Sequence, residues 1–384
     1  MKDTVAFGVI GCGLMGREFA SASMRWMHLQ GEIPRPRILA ACDTNEENLR
    51  WFRKDPDTKF FYRKYREMLE NPRIEAVYCA VPHFLHAQVY CDVIRAGKHL
   101  LGEKPFGMDR AAFGEIEKAM SERPEVFVRC TSEFPYYPAV QQMAAWFREG
   151  KFGRIIEVKA SIRHSSDMDL NKPLNWKRTL AANGAYGCMG DLGIHVLHVP
   201  FRLGLMPRRV SAVLANLVQE RRDAQTGEMR PCETWDNALL LCEGESPAGD
   251  RFPMTFEMKR MAPGCANTVE YEIYGMDLSA RFSTDDPNAL RYTVSRGQEQ
   301  AWARLPVGQK TLYPVITGSI FEFGFSDSLL QMFAAYISEM KELPCSFGCF
   351  TPQEAKKSHE LLTAALLAYE KGVTVALPLD GQSR

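Results

Sequence analysis

The first sixteen residues limit what this chain can fold into more than any other stretch. A β-branched run, residues 5–10, leads directly into Gly11-Cys12-Gly13-Leu14-Met15-Gly16, where a helical pattern opens. A G-x-G-x-x-G spacing means little alone, but between a strand and a helix it describes a turn built to bring backbone close to a pyrophosphate. The first glycine permits the tight turn, the second leaves room for phosphate, and the third lets the helix lie close on the sheet. Amides at the helix start are then available as donors. The next strand-like run, 37–42, ends at Asp43, whose carboxylate can accept from adenosine ribose hydroxyls. It lies farther from Gly16 than is usual because residues 24–36 lengthen the connection. A carboxylate there repels a ribose phosphate and favours NAD over NADP. Arg17 and Arg35 keep NADP open, since either could fold over a phosphate.

The rest of the first third has the pattern such a turn requires. Strand-like runs at 5–10, 37–42, 75–80, 99–102 and 126–131 alternate with helical spacing at 46–53, 62–70, 85–96 and 109–122. That alternation means α/β architecture with a parallel sheet and right-handed crossovers. From about residue 136 the texture changes. One helix runs to 149, and longer alternating runs follow at 155–163, 210–218, 237–242, 253–258 and 269–274. These read as antiparallel strands with one exposed face. Gly and Pro break them at 224–232, 244–253 and 284–288, and helical patterns at 323–342 and 351–371 close the chain. The expectation is two domains: a Rossmann dinucleotide-binding domain over 1–135, and an α+β domain over 136–384 with an open, mainly antiparallel sheet.

Composition removes several classes of partner. Lys and Arg total 47 against 47 Asp and Glu, with no long basic block, so nothing marks the chain for nucleic acid or an anionic membrane surface. The eleven cysteines are scattered, with no C-x-x-C pair, and Cys42, Cys79, Cys91 and Cys242 sit inside apolar runs. Thiols used as small core residues indicate a reducing compartment. The start of the chain has no signal-peptide core, and the apolar stretch around 361–369 is too short to span a bilayer. A cytoplasmic protein with a small-molecule substrate is expected.

Residues 81–106 read VPHFLHAQVYCDVIRAGKHLLGEKPF, and residues 187–199 read GCMGDLGIHVLHV. Together with the glycine fingerprint these resemble the Gfo/Idh/MocA family of glucose-fructose oxidoreductase, inositol dehydrogenase and rhizopine-catabolism proteins, over nearly the whole chain. The resemblance implies that Lys104 of the Glu103-Lys104-Pro105 tripeptide is the catalytic lysine and that Asp191 and His195 complete the active site. It casts Ala80, Val81, Pro82 and His86 along the cofactor near the nicotinamide, with Glu103 close to its ribose. His83, beside them, stands where the family commonly has asparagine. Two other departures are Pro135, where an arginine is frequent, and His198, where an aspartate is frequent. The final helix is expected to pack back on the first domain. The outer face of the open sheet commonly makes an oligomer interface in this family, so a homodimer or homotetramer is expected.

The implied chemistry suits these residue types. Oxidising a secondary alcohol takes a base for the hydroxyl proton and a positive charge beside the developing alkoxide while a hydride leaves the same carbon. His195 can be the base, and Lys104 can hold the substrate oxygen or relay the proton. Asp191, four residues before His195, shares its helical face and can orient the imidazole or grip a neighbouring hydroxyl. The pairs His83/His86 and His195/His198 have helical metal-ligand spacing, but no third ligand is evident and no metal is assigned. Arg163, His164, Asn175, Trp176 and Arg178 are candidates for the substrate pocket, suited to a sugar or cyclitol ring. The expected activity is NAD-dependent hydride transfer at a secondary hydroxyl or ketone of a sugar, glycoside or inositol. Two alternatives are a glycoside-cleaving enzyme that oxidises its sugar transiently, and a non-catalytic sugar- and nucleotide-sensing regulator.

Overall fold

The computed structural model describes residues 4–295, 297, 300–308, 310–317 and 321–379. In chain order the elements begin β1 (Thr4–Ile10), α1 (Leu14–Met24), β2 (Arg35–Cys42), α2 (Glu46–Phe52), β3 (Phe60–Tyr62), α3 (Tyr65–Leu69), β4 (Ala76–Cys79), α4 (His86–Arg95), β5 (His99–Gly102), α5 (Arg110–Glu122) and β6 (Val128–Cys130). They continue with α6 (Pro138–Arg148), β7 (Ile155–Arg163), α7 (Leu180–Asn183), α8 (Cys188–Arg202), β8 (Met206–Ala215), β9 (Glu220–Arg222), β10 (Met229–Pro231), β11 (Asn237–Glu245) and β12 (Arg251–Lys259). The chain then runs through β13 (Thr268–Gly275), β14 (Leu278–Ser283), β15 (Ala289–Val294), β16 (Ala303–Pro306), α9 (Phe325–Met340), α10 (Pro352–Lys371) and β17 (Val375–Ala376). It divides into two compact units: Met1–Tyr136 with Gln309–Pro352, and Tyr137–Gly308 with Gln353–Arg384.

In the first unit six strands lie in the order β3-β2-β1-β4-β5-β6, every pair parallel. The strands β1, β2 and β4 are buried almost throughout, as strands covered on both faces must be. The order reverses between β1 and β4, and the carboxyl ends on either side of that reversal are where an open parallel sheet binds its ligand. Strand β3 was not foreseen, being only three residues of aromatic sequence at the sheet edge.

The segment that completes this unit comes from far along the chain. Phe19 of α1 stacks on Tyr78 of β4 with ring centroids 4.7 Å apart, and its edge meets Phe333 of α9 at 4.8 Å. Residues from Ser328 to Ser338 of α9 are buried. Arg129 donates to Glu339 at 3.0 and 3.2 Å, and Cys130 donates its amide to the carbonyl of Phe350 at 2.9 Å. The helix added to the first unit is therefore α9, which the sequence had placed with the second domain; α10 belongs to the second unit. Helical periodicity shows that a helix has an apolar face but not which sheet that face will cover.

In the second unit nine strands form an open sheet in the order β16-β15-β14-β13-β7-β12-β11-β8-β17, antiparallel except where β7 pairs with β12. Val158, Ala160 and Ile162 alternate inward along β7, as do Met254, Phe256 and Met258 along β12. Helix α8, buried along all but its last residue, packs on this face. All eleven cysteines are free thiols. Among the described residues no helix is long and apolar enough to cross a membrane.

Replacing Phe333 with Ala should destabilise the first unit by about 3–5 kcal/mol, because the cavity would open between α1 and the sheet. The measurement is the midpoint of the unfolding transition that added NAD raises. An unchanged midpoint would place α9 outside that core.

Candidate functional site

The nucleotide half of the site is made by backbone before any side chain enters. Gly11 has φ +89°, and a Cβ there would lie 2.3 Å from the carbonyl oxygen of Ala80. A Cβ on Gly16 would lie 2.3 Å from the oxygen of Gly11, so α1 can approach β1 only through a glycine. Gly13 has nothing within 4 Å of its Cβ position and faces open space at the start of α1. No acidic residue occupies the first turn of α1, so its positive end is available to phosphate. Leu14 is exposed and Met15 half-buried beside the same turn.

Asp43 does two jobs at once. Its Oδ2 accepts from the amide of Cys12 at 2.8 Å and from Asn48 Nδ2 at 3.1 Å, while Oδ1 accepts from the amide of Asn45 at 2.7 Å. The N-cap of α2 is Asn45, which accepts from the Glu47 amide at 2.9 Å. Asp43 thus ties the end of β2 to the glycine turn and borders a cleft of about 580 Å³. Gly11, Gly13, Ala80, Val81 and Pro82 line the same cleft. Of the two arginines that left NADP open, Arg17 donates to Asn48 Oδ1 at 3.0 Å and lies over Trp51, and Arg35 pairs with Asp57. Arg63 and Lys64, which line the cleft, were not singled out from the sequence.

Three of the expected cofactor residues shape the cleft from behind. His86 is fully buried, with Nδ1 2.7 Å from the oxygen of Pro105 and Nε2 2.8 Å from that of Val81. Burial pushes its pKa down to about 4, so the ring is neutral and donates to one of these carbonyls at a time. It stacks on Tyr90 and braces the Val81 loop against the residue that follows Lys104. His83 is buried with its ring 5.5 Å from that of His86. Glu103 is buried and accepts from the Tyr78 hydroxyl at 2.8 Å and from the Lys104 amide at 3.2 Å. Lys104 is half-buried and precedes a cis Pro105.

The second unit carries the other cluster. Gly187, at φ +58°, packs against Trp235 and opens α8, whose first turn holds Asp191. The Asp191 carboxylate is 2% exposed; it accepts from Lys177 Nζ at 2.9 and 3.1 Å and from Arg260 at 3.2 Å. One turn later lies His195, also buried, whose carbonyl accepts from the Tyr271 hydroxyl. His164 belongs to this cluster as well. Burial pushes its pKa down to about 4, with Lys177 and Arg260 adding to the fall and Asp191 opposing it. Trp176 lies beneath the Lys177 ammonium at 5.6 Å, and the Asn175 side chain accepts from the Lys177 amide at 3.0 Å.

Two substrate candidates fall elsewhere. Arg178 is fully buried and pairs with Asp236 and with Asp167, so it is a structural ion. Arg163 alternates to the face of β7 opposite α8, where it pairs with Glu270. His198 is fully buried near Arg202 and Glu354, and burial pushes its pKa down to about 3. Among the described residues no group of three or more His, Cys, Asp or Glu is placed to hold a metal. Lys177 and Arg260 were missed. Lys177 stands between two residues that were chosen, while Arg260 carries no local motif at all.

Residues 5–129 match the oxidoreductase family with an NAD-binding Rossmann fold, and residues 140–281 match the GFO/IDH/MocA C-terminal domain. A dTDP-3,4-didehydro-2,6-dideoxy-alpha-D-glucose 3-reductase of Actinomadura kijaniata is 33% identical over 282 residues, covering 71% of this chain and 73% of that one. The chain belongs to the Gfo/Idh/MocA family. Levoglucosan dehydrogenase of Pseudarthrobacter phenanthrenivorans is 28% identical over 342 residues, 83% of this chain and 81% of that one. A solved levoglucosan dehydrogenase in complex with NADH superimposes with a TM-score of 0.85 at 20% identity, covering 98% of this chain and 99% of that one. This Gfo/Idh/MocA protein is an NAD-dependent oxidoreductase.

The glycine turn gives a direct test. Gly11→Ala puts a methyl group against the Ala80 carbonyl in a backbone region that L-residues avoid, and should weaken NAD binding at least about tenfold. Titration with NADH, followed by its nicotinamide fluorescence, checks it, and wild-type affinity would contradict the turn geometry.

Proposed function

We propose that this protein oxidises a secondary hydroxyl of a sugar, glycoside or inositol, or reduces the corresponding ketone, with Lys104, Asp191 and His195 handling the reacting carbon's oxygen and its neighbours. The observation that carries this reading is the buried Asp191 carboxylate, held by Lys177 and Arg260 one helical turn before His195. A carboxylate flanked by two cations can accept from a ring hydroxyl, and the Lys177 ammonium beside it is 39% exposed at its side chain. Trp176 and His164 supply flat, partly apolar surface of the kind a pyranose face packs on. The levoglucosan and deoxyglucose named for two relatives agree with a six-membered ring.

NAD, when bound, supplies the hydride acceptor. The glycine turn would hold its pyrophosphate and Asp43 would accept from its ribose, with the loop from Ala80 to Pro82 bordering the same cleft. Lys104 presents positive charge to the oxygen that loses its proton, which lowers the barrier to hydride departure. That proton passes either to His195, with Lys104 an ammonium throughout, or to a neutral Lys104 amine, which gains its charge as the alkoxide forms.

Lys104→Met should reduce turnover by about 10²–10⁴-fold while NAD affinity stays near the wild-type value. The assay is nicotinamide absorbance with NAD and a panel of levoglucosan, aldoses, glycosides and inositols. Wild-type turnover in the variant would overturn the assignment of Lys104.

The protein is further read as a cytoplasmic homodimer or homotetramer. Val213 and Leu241 are more than half exposed on the face of the sheet opposite α8, alongside Leu239. An apolar strip on an open sheet is a natural association surface. Light scattering should return a multiple of the chain mass, and a monomer at micromolar concentration would rule the assembly out.

A further inference from the structure

The glycine turn and Asp43 do not account for a cation that stands just behind them. Arg17 follows Gly16 directly on α1, and its guanidinium donates to Asn48 Oδ1 at 3.0 Å. The other end of the same amide, Nδ2, donates to Asp43 Oδ2 at 3.1 Å. A guanidinium only donates and a carboxylate only accepts, so the two partners fix which way the Asn48 amide is turned. Asn48 is half-buried on α2 and lines the cleft together with Asp43. The positive charge of Arg17 is thus held one amide group away from the carboxylate that borders the cleft.

Arg17 differs from the other cations at this cleft in what it is paired with. Arg63 lies 3.4 Å from Glu46, Lys64 3.6 Å from Glu67, and Arg66 2.9 Å from Asp92. The partners of Arg17 are the Asn48 amide and the Trp51 ring, whose centroid is 5.4 Å away, and neither carries a charge. Among the described residues no carboxylate forms an ion pair with it, and its Nε is buried without a hydrogen-bond partner. A guanidinium with its charge uncompensated and a donor unspent is a ready partner for phosphate, whose oxygens match its planar fork. Asp43 has the opposite preference. A carboxylate offers about four lone-pair positions, and three donors already occupy it, which leaves room for a ribose hydroxyl while its charge repels a phosphate. The group that favours NAD and the group that suits NADP therefore meet on one side chain.

We propose that Asn48 is the positioning residue that sets the preference for NAD over NADP: one end of its amide fixes Asp43 at the cleft, and the other keeps Arg17 from turning to a phosphate on the adenosine ribose. This rests on the reading of Asp43 as the ribose acceptor given above. Without Asn48, Asp43 keeps the amides of Cys12 and Asn45 as donors, so its carboxylate stays in place, whereas Arg17 keeps only its stacking on Trp51. The guanidinium is then the member of the pair that moves.

The test reads binding and needs no substrate. The full-length protein is titrated with NADH and, separately, with NADPH, each followed by its nicotinamide fluorescence. The wild type should bind NADH more tightly. In Asn48→Ala the ratio of NADH to NADPH affinity should fall at least about tenfold, the worth of one hydrogen bond between guanidinium and phosphate. Asn48→Ser, too short to span Asp43 and Arg17, should repeat that fall and decides if the Ala variant does not fold. Arg17→Ala alone should change the ratio by less than about threefold, but added to Asn48→Ala it should return most of the fall. Asn48→Asp keeps an acceptor for Arg17 and should leave the ratio at or above the wild-type value. A mere disturbance of α2 would weaken both cofactors alike and would not separate these variants. Equal affinities in the wild type, an unchanged ratio in Asn48→Ala, or a fall that survives the loss of Arg17 would overturn the proposal. Asp43→Ala tells the two readings apart. If it shifts the ratio while Asn48→Ala does not, Asp43 stands as the ribose acceptor and the role of Asn48 fails. If Asn48→Ala shifts the ratio through Arg17 while Asp43→Ala does not, the tether stands and the ribose reading fails.

Discussion

Backbone passes so close to backbone at the ends of β1 and β4 that no side chain fits between them. A methyl group on Gly11 would overlap the Ala80 carbonyl, and one on Gly16 would overlap Gly11 itself. Much of the first unit follows from that closeness. Because α1 lies tight against β1, its amides open onto the cleft, and the cleft sits where the strand order reverses. Asp43 then links the neighbouring strand to the same turn by accepting from the Cys12 amide. A carboxylate that already holds three donors is ordered before any ribose arrives, which lowers the entropy lost on binding.

The second unit solves a different problem, which is how to accommodate a carboxylate on a helix buried along all but its last residue. Asp191 is enclosed with Arg260 and Lys177, while a parallel pairing of Arg178 with Asp236 and Asp167 lies nearby in the same unit. Removing one member of such a pair leaves its partner charged and dry, at a cost of about 3–5 kcal/mol. The fully buried arginines therefore belong to the scaffold, whereas Lys177 is 39% exposed at its side chain. In the first unit, His86 plays an analogous supporting role, bracing the loops at Val81 and Pro105 from within.

Much of this was legible in the sequence, and the gaps have physical causes. The glycine turn, Asp43 and the strand–helix alternation rest on local rules, and the structure places them as those rules require. The Lys104 and Asp191 motifs were found through resemblance. Strand β3 escaped because three aromatic residues carry no period, and α9 joined the first unit because an apolar helical face does not name its partner. Arg163 was misplaced for a simpler reason. Whether a strand residue points toward α8 or away from it depends on a single step of alternation, and the neighbouring residues Ile162 and Arg163 point opposite ways. Arg260 became visible only when segments distant in sequence were brought together, since it stands in no pattern of its own.

The central claim is that this chain moves a hydride from a ring carbon of a sugar-like substrate to the nicotinamide. It is tested most directly by supplying NAD with pyranoses deuterated at every carbon and weighing the reduced cofactor by mass spectrometry. The account predicts NADH carrying a single deuterium from the carbon that becomes the ketone. Reduced cofactor without deuterium, or none with any ring while NAD is bound, would contradict it.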